Sequence, residues 1–153
     1  GGTGRAGREV LARYLALGDA EGALEVVTGA PEPITRARSA ALLLERAHRR
    51  GLTLPTRQLH RLEAILEGLP ARERPGATGD LVVLLARAGA CGEAAAHLGP
   101  GQRADVPGIA LTYCAPTAAP STRRALRARL PDPLNRAEHA LHDAGQILAG
   151  SVE

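Results

Sequence analysis

The residues that could do chemistry lie in a few short stretches of this 153-residue chain. "GTGRAG", Gly2 to Gly7, has the GxGxxG spacing that lets a backbone approach a pyrophosphate at a helix N-terminus. That turn works after a strand, and no strand precedes it here, so residues 1–7 read as a flexible leader. In "EHALHD", His139 and His142 stand three apart and Glu138 stands four before His142, so each pair can share a helix face beside Asp143. A divalent cation needs three or four converging ligands with supporting partners. Ala137 and Leu141 mark the buried stripe of that helix, and the charged residues fall beside it, on a solvated face. Cys91 opens a short helix whose dipole could favour a thiolate, but no His is placed beside it by sequence, and it reads as a small structural residue. Glu63 and Glu67 mark an exposed helix edge. There is no GxSxG elbow, phosphate-binding Walker loop or HExxH. No metal, no cofactor and no enzyme activity is expected.

What remains is charge. Arg46, Arg49, Arg50, Arg57 and His60 gather in the middle of the chain, and Arg123, Arg124 and Arg127 form a second cluster. In the second, with Arg129 and Arg136, arginines outnumber Asp132 and Glu138 by three, which equals the net charge of +3 on the whole chain. Guanidinium groups at these spacings could engage an acidic protein surface or phosphates. All 19 basic residues are Arg, and Phe, Trp and Met are absent. A GC-rich gene explains that bias, since codons for Lys, Phe and Met are poor in G and C. The arginines are therefore not evidence of selection for phosphate, and stacking platforms for bases are nearly missing.

The elements that must position these residues follow from the apolar pattern. With only Tyr14 and Tyr113 as aromatics, the core must be Leu, Ala, Val and a few Ile, which suits closely packed helices. Val10, Leu11, Tyr14, Leu15 and Leu17 form one helical stripe, and Ala23, Val26 and Val27 a second after Gly18-Asp19. Pro31 and Pro33 end that unit. Ile34, Ala37, Ala41, Leu44 and Ala47 recur at three- and four-residue steps. His48, Arg49 and Arg50 then complement the helix C-terminus, and Gly51 supplies a left-handed cap. Pro55 suits the first turn of a helix carrying Leu59, Leu62, Ile65, Leu66 and Leu69. After a polar link, "ARERPGATG", Asp80 is expected as the N-cap of "LVVLLARAG". A shorter "CGEAAAHL" follows.

Residues 99–120 are rich in Pro and Gly and read as a loop, with an extended piece at "IALTYC" (109–114). Residues 121–153 read as a C-terminal helical pair of the same domain, its last helix holding Leu134, Ala137, Leu141, Ala144 and Leu148. Two cysteines without CxxC spacing do not make a disulfide framework. They point to a reducing, intracellular setting, with a single bridge left open. No apolar run approaches the roughly 18 residues of a membrane span.

The phrase "YLALGDAEGALEVV" at 14–27 returns at 84–98 as "LLARAGACGEAAAHL", with a lag of 71 residues from Gly18 to Gly89. Half of that lag is close to the period of helical-hairpin repeats. Ala23 with Val27, and Ala94 with Leu98, resemble the small-x3-large spacing in the second helix of tetratricopeptide and pentatricopeptide repeats. "ALLLERAHRRGLTLP" is similar to the end of a pentatricopeptide unit. The W-x2-L-G signature is absent, and the middle unit lacks the Gly-x4-Ala phrase. The resemblance covers residues 8–98. It implies an all-α fold of antiparallel helical hairpins, stacked as a short repeat-like solenoid or an irregular bundle.

The implied function is a protein–protein interaction domain, a scaffold or adaptor that is a piece of a larger protein or complex subunit, with another protein as partner. Self-association is compatible with it. The alternatives are an RNA-binding helical repeat, as the pentatricopeptide likeness implies, and a non-catalytic helical domain of an enzyme.

Overall fold

The computed structural model describes residues 5–130. Eight helices follow one another among them, with no strand: α1 (Arg5–Ala16), α2 (Ala20–Thr28), α3 (Pro33–Arg49), α4 (Thr56–Leu66), α5 (Arg74–Arg87), α6 (Cys91–Ala96), α7 (Val106–Cys114) and α8 (Pro120–Ala128). The chain is all-α over the described residues, as the aliphatic composition predicts.

Three helices end in the same way. Gly18, Gly51 and Gly89 adopt φ of 72°, 67° and 87°, the left-handed region that glycine enters without a Cβ clash. The amide of each bonds back to a carbonyl three residues earlier, on Leu15, His48 and Ala86. The amide after each glycine reaches back five residues, Asp19 to Tyr14, Leu52 to Ala47 and Ala90 to Leu85. This pair of bonds is the Schellman closure, and it turns α1 into α2, α3 toward α4 and α5 into α6 by one mechanism. Asp19 adds an N-cap to α2, its Oδ1 accepting from the Gly22 amide at 2.8 Å. Gly22 itself lies under the Tyr14 ring, where a Cβ would fall 2.4 Å from the ring edge.

Every substantial contact joins helices one or two places apart in chain order: α1 packs on α2 and α3, α3 on α4 and α5, α5 on α6 and α7, and α7 on α8. Helix α5 is central. All six residues from Leu81 to Ala86 are buried, so this helix is apolar on every side and is enclosed by α3, α4, α6 and α7. Leu43, Leu44, Leu59, Leu62, Leu84, Leu85 and Leu111 fill the interior, and Ala37, Ala40, Ala47 and Ala94 let helices approach closely. The paired phrases are used alike: Ala23, Val27, Ala94 and Leu98 are all buried.

Four expectations are corrected. Residues 106–114 are helix α7, not an extended piece in a loop. Pro107 and Pro120 open α7 and α8 at the first turn, where proline's fixed φ and missing N–H fit a helix; they do not break one. Helix α5 begins at Arg74, with Pro75 in its first turn, so Asp80 lies inside the helix and caps nothing. Its side chain is instead buried against α3. Helix α1 already starts at Arg5, inside the stretch read as a leader. Finally, Cys91 and Cys114 are not two thiols: they form a disulfide joining α6 to α7, with Cα atoms 5.8 Å apart. The ground for a reducing setting goes with them. The last predicted helix, with Glu138, His139, His142 and Asp143, and the GxGxxG glycines Gly2 and Gly4 lie outside the described residues.

Candidate functional site: a charged groove on α1, α3 and α5

A groove of about 460 Å³ is lined by residues of α1, α3 and α5, with Arg103 ahead of α7. Helix α3 contributes Arg38, Ala41, Leu42 and Glu45. Helix α5 and the residue before it contribute Glu73, Gly76, Ala77 and Asp80. Both sets follow the spacing i, i+3, i+4, i+7, one continuous helix face each. Arg8 of α1 stands at the rim. The lining combines aliphatic residues (Ala41, Leu42, Leu69, Ala77) with charged ones.

The charges are ordered by three pairings. Arg38 grips Glu73 through two parallel bonds, Nε to Oε1 at 3.2 Å and Nη2 to Oε2 at 3.0 Å. The hydrogen bond from Arg38 holds the Glu73 carboxyl below the usual carboxylate range. Glu45 accepts from Arg49 at 2.9 Å, one turn along α3. The buried Asp80 carboxylate accepts from His48 Nδ1 at 2.7 Å and Arg103 Nη2 at 3.1 Å. Arg103 Nη2 lies only 2.9 Å from His48 Nδ1. Both contacts fall on Asp80 Oδ1, so this carboxylate holds the two nitrogens together. This triad ties α3, α5 and the approach to α7 at the deep end of the groove.

The predicted arginine sites do not assemble as one surface. Arg46, Arg49 and Arg50 are exposed at the end of α3, and only Arg49 reaches a groove residue. Arg57 and His60 lie on α4 and are directed at other helices of the chain: Arg57 lies 3.9 Å from Glu21 of α2, and His60 Nε2 pairs with Glu93 of α6 at 2.6 Å. Arg123 turns inward, donating to the carbonyls of Ala118 at 2.6 Å and Ala115 at 3.4 Å, and so caps the end of α7. Arg124 is exposed and Arg127 half-buried.

Capping is a recurring task for arginine in this chain. Arg36 donates to Ala30 and Pro31 carbonyls beyond α2, Arg74 to the Leu69 carbonyl beyond α4, and Arg87 to the Leu52 carbonyl at 2.7 Å beyond α3. Arg87 also lies over the Tyr113 ring of α7, 5.3 Å from its centroid. Each guanidinium supplies donors to main-chain carbonyls at or just past a helix end, pinning the chain where it leaves the helix.

A second polar junction joins α4 to α6. Beside the His60–Glu93 pair, His97 Nε2 bonds to Glu63, and His97 Nδ1 to the Glu93 carbonyl at 2.8 Å. Burial opposes charge on His97, but the bond to Glu63, helped by the Glu93 carbonyl and both carboxylates, lifts its pKa above the ordinary imidazole value.

Sequence reasoning missed the groove residues Arg8, Arg38, Glu45, Glu73, Asp80 and Arg103. One signal was available, a lone acid set in the apolar run "GDLVVLLA", because a buried carboxylate demands partners. Among the described residues no cluster of three or more His, Cys, Asp or Glu could hold a metal, and no helix is long and apolar enough to cross a membrane. No protein-family model matches the chain, and no curated protein or solved structure gives a significant match to it.

Proposed function

We propose that this chain is a helical-repeat protein–protein interaction domain, of tetratricopeptide-like design, that receives a partner segment in the groove of α1, α3 and α5. The observation that carries this reading is the groove's composition: one face from each of α3 and α5, at matching spacing, lined by both aliphatic and charged residues. A groove of this kind admits the side chains of a partner segment against its aliphatic residues while its charged ones offer polar contacts. Two further features support stacked hairpins. Among the described residues, substantial contacts run between helices close in chain order, as in quasi-one-dimensional arrays. Three glycine turns of one type recur at Gly18, Gly51 and Gly89. The inner face of such a stack is where extended binding surfaces arise.

The test uses Gly76, which lines the groove and whose added Cβ would meet nothing within 4 Å. Gly76→Tyr should fill the groove and leave the fold intact. Capture from a native extract, with and without nuclease, compares the two chains. A nuclease-resistant protein partner held by the wild-type chain and lost by Gly76→Tyr is the expected result. A partner held equally by both chains places binding elsewhere and overturns the groove. Recovery only through RNA overturns the protein-partner reading and directs attention to the exposed Arg124 of α8 and Arg129 just beyond it.

A further inference from the structure

We infer that His97 and Glu63 hold a shared proton that clasps α6 to α4, which makes this junction a pH-sensitive latch within the fold. The inference rests on which atoms face the imidazole. Nδ1 lies 2.8 Å from the main-chain carbonyl of Glu93, an atom that can only accept, so Nδ1 must carry hydrogen. Nε2 faces the Glu63 carboxylate. That second contact also needs a proton, whether it resides on Nε2 or on the carboxyl. A neutral imidazole beside an ionised Glu63 cannot make both bonds, because Nε2 would then turn a lone pair toward a negative oxygen. The two contacts together therefore require one proton more than a neutral imidazole beside an ionised carboxylate carries.

The surroundings determine when that proton leaves. His97 lines a cavity of about 220 Å³ between α4, α5 and α6, together with Glu63, Glu67, Arg74 and Thr78. From α4, Glu63 and Glu67 favour the imidazolium. From α6 the Glu93 carbonyl does so directly, and the Glu93 carboxylate, held by His60 at 2.6 Å, does so at longer range. From α5, Arg74 opposes it, although that guanidinium is engaged by the Leu69 carbonyl. Helices α7 and α8, which also pack on α6, contribute no group to the lining of this cavity. Three carboxylates thus stand against one guanidinium.

The sign follows. A histidine whose folded pKa is raised gives stability that is fully present below the ordinary imidazole value of 6.5 and is lost as pH rises through the folded value. Above that point one of the two bonds must break. Among the described residues, the His60–Glu93 pair then remains as the ion pair between α4 and α6. Helix α6 stays tied to α7 by the disulfide, so release at His97 loosens it on the side of α4.

The experiment is a pH titration of the whole chain that follows the ring nitrogens of His97 by 15N NMR and, in parallel, amide hydrogen exchange in α6 after correction for intrinsic rates. The expected result is an imidazolium signature for His97 that persists above the ordinary histidine titration, with α6 protection falling at the same midpoint. Glu63→Gln keeps an acceptor but removes the charge, so its midpoint should lie below that of the wild-type chain; His60→Gln should retain the transition. If His97 titrates at or below the ordinary value, if Glu63→Gln leaves the midpoint in place, or if α6 protection shows no transition, the latch is overturned. The wild-type titration alone is decisive should a variant fold poorly.

Discussion

At the scale of single residues, the arginines of this chain divide by what their donors meet. Arg36, Arg74, Arg87 and Arg123 close helix ends, whereas Arg38 and Arg103 hold carboxylates in the groove. Residue type alone could not separate these tasks, because the carbonyls they meet belong to residues up to about forty positions away in the chain, as with Arg87 and Ala47. Arg87→Met keeps much of the apolar stem and removes the donors. It should lower stability by about 2 kcal/mol in urea denaturation, the scale of a charge-assisted hydrogen bond, and an unchanged midpoint would refute the capping role. Asp80→Leu removes the one acceptor shared by His48 and Arg103, and a loss of about 2 kcal/mol is expected from leaving their donors unmatched. Asp80→Asn should cost less, since its amide oxygen still accepts.

At the scale of elements, the turns were legible and the helix starts were not. Gly18, Gly51 and Gly89 announce themselves because only glycine enters the left-handed region without strain, and each follows an apolar stripe. Proline is ambiguous by comparison: it stops a helix from inside and opens one from its first turn. Pro75 and Pro107 do the second, which is why α5 begins six residues before the expected cap and α7 occupies a stretch read as loop. The difference between glycine sites can be measured. Gly89→Ala should destabilise by about 1 kcal/mol, because its φ of 87° strains any side chain. Gly92→Ala, within α6 where an added Cβ meets nothing within 4 Å, should stabilise by about 0.5 kcal/mol. Thermal melts of the two variants should move in opposite directions, and parallel shifts would contradict the assignment.

At the scale of the whole molecule, one covalent link acts on a fold otherwise held by neighbouring contacts. The disulfide spans 23 residues between α6 and α7. Closing a loop of that order should be worth about 3 kcal/mol through the unfolded chain. Cys91→Ser with Cys114→Ser, or a melt in excess reductant, should therefore lower the Tm. Hydrogen exchange should rise first in α6 to α8, and loss spread evenly over all helices would argue against stepwise coupling. By itself the sequence determined that this chain is helical, where its apolar stripes lie and where its glycine turns close, because those properties depend on residues three to five positions apart. Only the tertiary structure decided that Cys91 meets Cys114, that Asp80 is buried between His48 and Arg103, and that Arg8, Arg38, Glu45 and Glu73 share a groove. Those are encounters between residues far apart in the chain, and they exist only after the helices have packed.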